Sequence, residues 1–411
     1  MKKIVLIIVI AMFSSCVEEI DFVEVSETFE STLVIEATIT NELKQQEIIL
    51  SRTYAFEEEG PNPESGASVI IESNQGAFSF SETAPGIYLS DAVFAAQNNV
   101  DYQLKITTNN GRNYTSTATQ LTQINPIENL YAVRENNDLG INGMSIYIDS
   151  YDPIGNSKYY RYTYKETYKI IAPRWTPEEI IITDPLICEV WLQERTQEEK
   201  VCYNTVASSN INLKNTTGLS EDRVTRHLIR FIDSEDFILT WRYTIIVKQF
   251  IQSLEAYTYY KTLDEFSGEG SLFSQTQPGF INGNIISETN EEEKVIGFFD
   301  VSTVSEKRIF FNYEDFYPNE AQPPFSSPDC EPRELDRLTI AGTCGDLISS
   351  LLIDEVAYWG GASKIPDTTF AKDGTIISID TITIAPFIMV PRPCGDCTAL
   401  GSNVVPDFWE D

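Results

Sequence analysis

Cysteine is the residue type whose number and spacing carry the most chemistry in this chain. There are seven: Cys16 near the start, then Cys188, Cys202, Cys330, Cys344, Cys394 and Cys397. Setting Cys16 apart leaves an even six, which in an exported chain points to disulfides, although sequence alone does not rank their pairings. Cys188 and Cys202 flank the charged stretch 193–200, so a local hairpin bridge is the first expectation there. Cys330, Cys344, Cys394 and Cys397 are expected to form two bridges that tie down the C-terminal tail. The run Pro393-Cys394-Gly395-Asp396-Cys397 is also a C-x-x-C, a spacing shared by redox pairs and half zinc sites. A redox pair wants its thiolate at a helix N-terminus in a βαβ setting, and zinc needs four reduced thiolates. Pro- and Gly-rich surroundings outside the cytoplasm favour a structural disulfide instead.

Other catalytic vocabulary is thin. His227, in Thr225-Arg226-His227-Leu228, is the single histidine of 411 residues, which removes most zinc and histidine-relay chemistry. Between basic residues it reads as a surface or capping group. Gly268-Glu269-Gly270-Ser271-Leu272 matches a serine elbow only in outline, because it follows a helix where the elbow needs a strand. Neither a P-loop nor a dinucleotide fingerprint is present, and no cofactor or metal is expected. Asp and Glu number 62 against 29 Lys and Arg, a formal net charge of −33. That balance excludes nucleic acid as a partner, since phosphate backbones are bound by releasing counterions to basic side chains. It leaves paired carboxylates for glycan or peptide hydrolysis as an alternative that spacing in sequence does not test. The acidic run Glu57-Glu58-Glu59 is expected to be a solvated hairpin tip.

The first residues address the compartment. Two lysines, an apolar run over residues 4–13, then Ser14, Ser15 and Cys16 form the three-part pattern of a secretory signal. The run is far shorter than the ~20 residues of a membrane-spanning helix. Phe13-Ser14-Ser15-Cys16 resembles a bacterial lipobox, which implies that residues 1–15 are removed and that Cys16 is lipidated. A single acyl chain binds a membrane marginally, and the three chains of a lipoprotein exceed what stable anchoring needs. Residues 16–30 are expected to be a tether, opened by the acidic Glu18, Glu19 and Asp21.

Hydropathy patterning supplies the elements. Leu33, Ile35, Ala37 and Ile39 alternate as one face of a half-buried strand. Further short strands are expected at 47–51, 67–73, 77–81, 86–90, 102–107 and 113–118, separated by Pro, Asn and Gly turns. Seven strands in so short a span predict an immunoglobulin-like or transthyretin-like β-sandwich over residues 31–125. Asn125-Pro126 closes it, and a larger β-rich domain with one or two helices follows over 126–411. There, 156–171 reads as a strand with Tyr160, Tyr162 and Tyr164 on one face, expected to pack rather than to stack a sugar. Residues 241–250 read as another strand. At Ser253 the period changes: Ser253 suits an N-cap, Glu255 the first turn, and Ala256, Tyr259, Tyr260, Leu263 and Phe266 recur at helical spacing up to Gly268. Strands are expected at 295–299, 301–303 and 307–312, a Pro-rich loop at 317–332 and a second helix at 346–359. The fold class is therefore mainly β.

Several short motifs together resemble the Bacteroidota lipoproteins of the domain-of-unknown-function family DUF4249. They are the opening Cys16-Val17-Glu18-Glu19-Ile20-Asp21, Leu33-Val34-Ile35-Glu36, Gly66-Ala67-Ser68-Val69, Pro85-Gly86-Ile87-Tyr88 and Asp101-Tyr102-Gln103-Leu104. Later come Ser253-Leu254-Glu255-Ala256-Tyr257, Gly283-Asn284-Ile285, Gly297-Phe298-Phe299, Lys307-Arg308-Ile309-Phe310, Cys394-Gly395-Asp396-Cys397 and Pro406-Asp407-Phe408-Trp409. The resemblance implies an outer-membrane, lipid-anchored protein facing the extracellular side, whose gene neighbours TonB-dependent receptors. It carries over no catalytic or binding residue. The expectation is a non-enzymatic accessory of such a receptor in ligand or nutrient capture, with a structural or adhesive surface module and a secreted hydrolase as alternatives.

Overall fold

Alternation along Leu33–Thr40 does what its pattern dictates: Leu33, Ile35, Ala37 and Ile39 are buried and the residues between them face outward. The computed structural model describes residues 31–54, 60–267, 281–323, 325, 329–340, 342–370 and 376–411. The expected lipidation site Cys16, the tether, the acidic run 57–59, and Gly268 with the serine-elbow look-alike that it opens lie outside those residues.

The architecture is mainly β. All seven strands expected in the first unit are present, at Leu33–Thr40, Glu47–Arg52, Ser68–Ser73, Gly76–Ala84, Ile87–Ser90, Asp101–Thr107 and Asn113–Ser116. They lie side by side in one continuous sheet. The inward residues of both its ends, among them Ile35, Leu50, Ile71, Leu104 and Tyr114, meet in a single core, so the sheet closes over itself as a sandwich does.

This sheet does not stop at Asn125. Leu33–Thr40 pairs in parallel with the C-terminal strand Val295–Asn312, from Leu33 opposite Val295 to Thr40 opposite Ser302. The second half of that strand pairs antiparallel with Arg242–Gln252, which in turn pairs with Tyr159–Ile171. One 15-stranded sheet therefore runs through both units expected from the sequence. The three short strands expected at 295–299, 301–303 and 307–312 are one strand of 18 residues. The gap left between these strands at 304–306 is closed because Val304, Ser305 and Glu306 each have a cross-strand partner in Arg242–Gln252 that keeps the chain extended. The division into 31–125 and 126–411 is crossed accordingly, because Ile285, Val295, Phe299 and Val301 return to the first core. Glu42 reinforces the crossing: burial opposes its charge, yet the ammoniums of Lys248 and Lys44 hold its carboxyl down at about 2.

A three-stranded sheet, Ile127–Asn136, Asn142–Asp152 and Asp222–Asp233, covers the other half of the large sheet. Between them lies a second core that includes Met144, Ile146, Ile148, Tyr160, Tyr162, Tyr243 and Ile245. Tyr160 and Tyr162 are thus packing residues, as their alternation suggested, and Tyr164 is half-buried beside them. The two layers are also joined by polar contacts. Arg230 Nε donates to Glu166 Oε2 at 3.2 Å, and the Tyr243 hydroxyl donates to the same oxygen at 2.6 Å. Burial first, then the Glu166 charge, push the Tyr243 hydroxyl far above its ordinary range, which keeps it protonated as a donor.

A third core gathers Ile180, Val190, Leu192, Leu347, Ile348, Tyr358, Phe387 and Met389. The helix expected over 346–359 ends here at Leu352, and Val356–Gly360 is a strand of a small sheet with Phe387–Pro391. Asp354, in the left-handed region at φ 58°, turns the chain out of the helix. The other helix matches its pattern over Leu254–Ser267, with Ser253 Oγ accepting from Ala256 N at 3.1 Å as an N-cap.

All six cysteines after Cys16 are bonded, but not as the sequence suggested. The pairs are Cys188–Cys344, Cys202–Cys397 and Cys330–Cys394. The expected Cys188–Cys202 hairpin bridge does not exist, because the two residues belong to different sheets. Cys188 precedes Glu189–Glu194 in the third core, whereas Cys202 points from Val201–Ala207 into the second. The charged stretch between them is the connection that carries the chain from one to the other.

Candidate functional site

The C-x-x-C gives no reactive thiol. Cys394 and Cys397 are not bonded to each other; each closes a disulfide to a distant partner, and both are fully buried. A redox pair and a zinc half-site both need those sulfurs free.

His227 lies on Asp222–Asp233, its ring 5.0 Å from that of Tyr162 and its Nε2 2.7 Å from Asn212 Oδ1. Burial, with Lys214 adding like charge, pushes the imidazole down from 6.5 to about 4. A neutral ring donating to an amide oxygen joins two strands rather than working as a base. Between pH 6.5 and about 4 the unfolded chain takes up a proton that the native ring refuses. His227 therefore contributes stability that is complete above 6.5 and lost as pH falls towards 4. His227→Gln, which keeps a donor for Asn212, is expected to flatten the fall in unfolding midpoint between about pH 7 and pH 5. Parallel urea titrations of both proteins measure it, and equal slopes would remove this account of the histidine.

A groove of about 940 Å³ lies beside the helix Leu254–Ser267. Three segments remote in sequence build it: residues 117–120, the first turns of Leu254–Ser267, and residues 281–284, above Phe298 of the long strand. The helix is held over the sheet by Ala256 and Tyr259, whose ring lies 5.4 Å from that of Phe298. This face presents Ser253, Glu255, Thr258 and Thr262 to the groove. Thr258 Oγ1 donates to the Leu254 carbonyl at 2.7 Å, and Thr262 Oγ1 to the Thr258 carbonyl at 2.9 Å.

The opposite wall is fixed by a side chain acting as backbone. Asn284 Nδ2 donates to the Phe299 carbonyl at 2.9 Å, and its Oδ1 accepts from Phe299 N at 2.8 Å. Its own carbonyl accepts from Thr117 N at 2.9 Å, so one residue ties two of the three segments, 281–284 and 117–120, to the long strand. Gly283 must be glycine for this approach, since a Cβ there would sit 1.6 Å from the Gly297 carbonyl oxygen. Gly297 meets the same limit one strand on, at 2.5 Å from the Ile35 carbonyl oxygen.

Beneath the helix the sheet buries a polar cluster. Asp300 is 0% exposed; its Oδ2 accepts from Ser302 Oγ at 2.6 Å and from Gln252 Nε2 at 3.3 Å. Burial pushes the Asp300 carboxyl above its ordinary value. Arg161 lies nearby, its guanidinium held between the rings of Phe250 and Tyr260 at 4.3 and 4.5 Å. The cluster supports the groove from below without lining it.

The lining is chemically quiet. Glu255 is its single charged residue among those described, and hydroxyls and amides supply most of the rest. Sequence reasoning located the helix and its cap but not the groove. A signal was present, however: Ser253-Leu254-Glu255-Ala256, Gly283-Asn284 and Phe298 belong to motifs singled out for other reasons, and they meet here.

A second concavity, of about 270 Å³, contains Glu179, Asp354 and Asp396 with Arg195 and Arg392. Arg392 pairs with both Asp354 and Asp396, and Arg195 with Glu199. These charges are partnered within the fold.

Comparison with curated proteins returns no match. Among solved structures, a chain titled "Biofilm associated protein - BSP domain" aligns at 8% identity over 88% of this chain and 77% of its own, with a TM-score of 0.14. A likeness that distant supports no shared fold or function. A family model described as "Domain of unknown function (DUF4249)" matches residues 17–308, from just after Cys16 to the middle of the long strand. That stretch contains all seven strands of the first unit, the helix Leu254–Ser267 and every wall of the groove. The chain belongs to the DUF4249 family.

Proposed function

We propose that this protein is an exported lipoprotein, anchored through Cys16 in the outer membrane and facing outward, that serves without catalysis as an accessory partner of a TonB-dependent receptor in ligand capture. The observation that carries the reading is the state of the cysteines. All six after Cys16 are paired, across separations of 64 to 195 residues. Long-range disulfides persist in oxidising compartments beyond the cytoplasm. Cys16 stands outside this framework and directly follows an apolar run with a basic start. The groove fits binding better than hydrolysis, since a glycosidase needs two facing carboxylates and its lining has Glu255 alone among the described residues.

Metabolic labelling with a fatty-acid probe tests the anchor. The parent protein is expected to incorporate label and to fractionate with outer membrane, and Cys16→Ala is expected to lose both. Equal labelling of the two would overturn the address. Native extraction then tests the partner: recovery of a barrel receptor is expected, and recovery of none would remove the accessory role while leaving the anchor standing.

A further inference from the structure

We propose that the groove beside Leu254–Ser267 is a binding site for an uncharged, polyhydroxylated ligand, a neutral oligosaccharide. This rests on the reading of the protein as a ligand-capturing accessory, and it gives that reading a place and a chemistry.

The charge of the lining excludes anions first. No Lys or Arg lines the groove among the described residues, and the whole chain carries −33. Phosphate, sulfate or uronate groups would enter a repulsive field with no cation to meet them. A helix N-terminus ordinarily attracts an anion. Here Ser253 already caps it and Glu255 already occupies its first turn.

The hydrogen-bonding groups then select the ligand. Thr258 and Thr262 have given their hydroxyl protons to the helix backbone, so each turns lone pairs outward as an acceptor. They stand one turn apart, about 6 Å along the helix. Ser253 is arranged the opposite way: its oxygen accepts from Ala256 N, leaving its proton to donate. Across the groove, the exposed amide of Asn282 offers both roles. A ligand that matches neutral donors and acceptors alternating along a trough carries many hydroxyls of its own. Leu254, which is 53% exposed, and half-buried Ile281 offer apolar surface for the C–H faces of sugar rings. An extended peptide would instead require side-chain pockets at alternate positions, and these walls are built mainly of short side chains.

Calorimetry on the intact protein in detergent, without receptor or membrane, tests the assignment. The probes are maltohexaose, cellohexaose and chitohexaose as neutral glycans, a heparin hexasaccharide as an anionic glycan, and an uncharged hexapeptide. At least one neutral glycan is expected to bind saturably. Thr258→Val with Thr262→Val removes two acceptors at near-constant volume and is expected to weaken Kd about tenfold. Asn282→Ala, on the other wall, is expected to weaken it severalfold, and neither variant should move the melting temperature. Binding of no neutral glycan, preference for heparin or the peptide, or unchanged affinity in both variants would overturn the proposal. Because neither lipid nor receptor enters this measurement, its failure is distinct from failure of the anchor or the partnership.

Discussion

Replacing Cys202 and Cys397 together by alanine is expected to lower the stability of the folded protein by about 3–4 kcal/mol, the chain-entropy value for a loop of roughly 30 residues, since Cys188–Cys344 and Cys330–Cys394 already short-cut the rest of the chain between them. The two cysteines are 195 residues apart, and both are fully buried in the second core. Without the bond, the unfolded chain regains the freedom that the remaining closed loop denies it. The native tail also loses its main tie. Residues beyond Cys397 lie along Val201–Ala207, where Tyr203 and Ser402 exchange backbone hydrogen bonds at 2.8 and 2.9 Å. Trp409 closes the contact against the rings of Tyr203 and Phe310. These are surface contacts, too few to hold the tail once the crosslink is gone. Urea unfolding should therefore show a lower midpoint, and chymotrypsin should cut near Phe408 and Trp409 before the body of the protein unfolds. An unchanged midpoint together with an uncut tail would refute the role given to this bridge.

Arg230→Met is expected to cost about 3 kcal/mol, because it strands a charge rather than deleting a contact. The Glu166 side chain is 6% exposed, and its Oε2 is held by Arg230 and the Tyr243 hydroxyl. Methionine fills much of the space of the arginine stem but leaves the carboxylate between two sheets with one neutral donor. The same logic predicts rescue. Adding Glu166→Gln to Arg230→Met removes the stranded charge and should recover most of the loss, whereas two independent defects would add. A double-mutant cycle by denaturant titration measures this. Simple additivity would mean that the inter-layer pair contributes nothing as a unit.

Both effects involve partners that no short window of sequence brings together, and this marks the limit of what was legible. The first seven strands were readable because a half-buried strand writes its orientation into every second residue, as Leu33, Ile35, Ala37 and Ile39 do. The helix was readable because its cap, first-turn acid and apolar face all lie within fourteen residues. The second helix was overextended for a related reason: Val356 and Trp359 fit a helical face, but Asp354 turns the chain first and the small sheet claims the strand that follows. The gap left at 304–306 resembled a break because polar residues such as Ser305 and Glu306 on a strand look like a turn until the neighbouring strand is known.

By itself the sequence determined the β class, the strand spacing, the capped helix, the absence of familiar catalytic motifs and an even set of cysteines beyond Cys16. Each is written in residue type or in a period of two or 3.6, which local sterics and burial enforce within a few residues. The tertiary structure alone decided which cysteines meet, that one long strand crosses both units, and that residues 117–120, 253–262 and 281–284 form a single groove. Those outcomes depend on contacts such as Leu33 with Val295, where pairing is set by the closure of whole sheets and by glycines that let two backbones touch. Proximity of that kind has no period, so it leaves no mark in the linear order of residues.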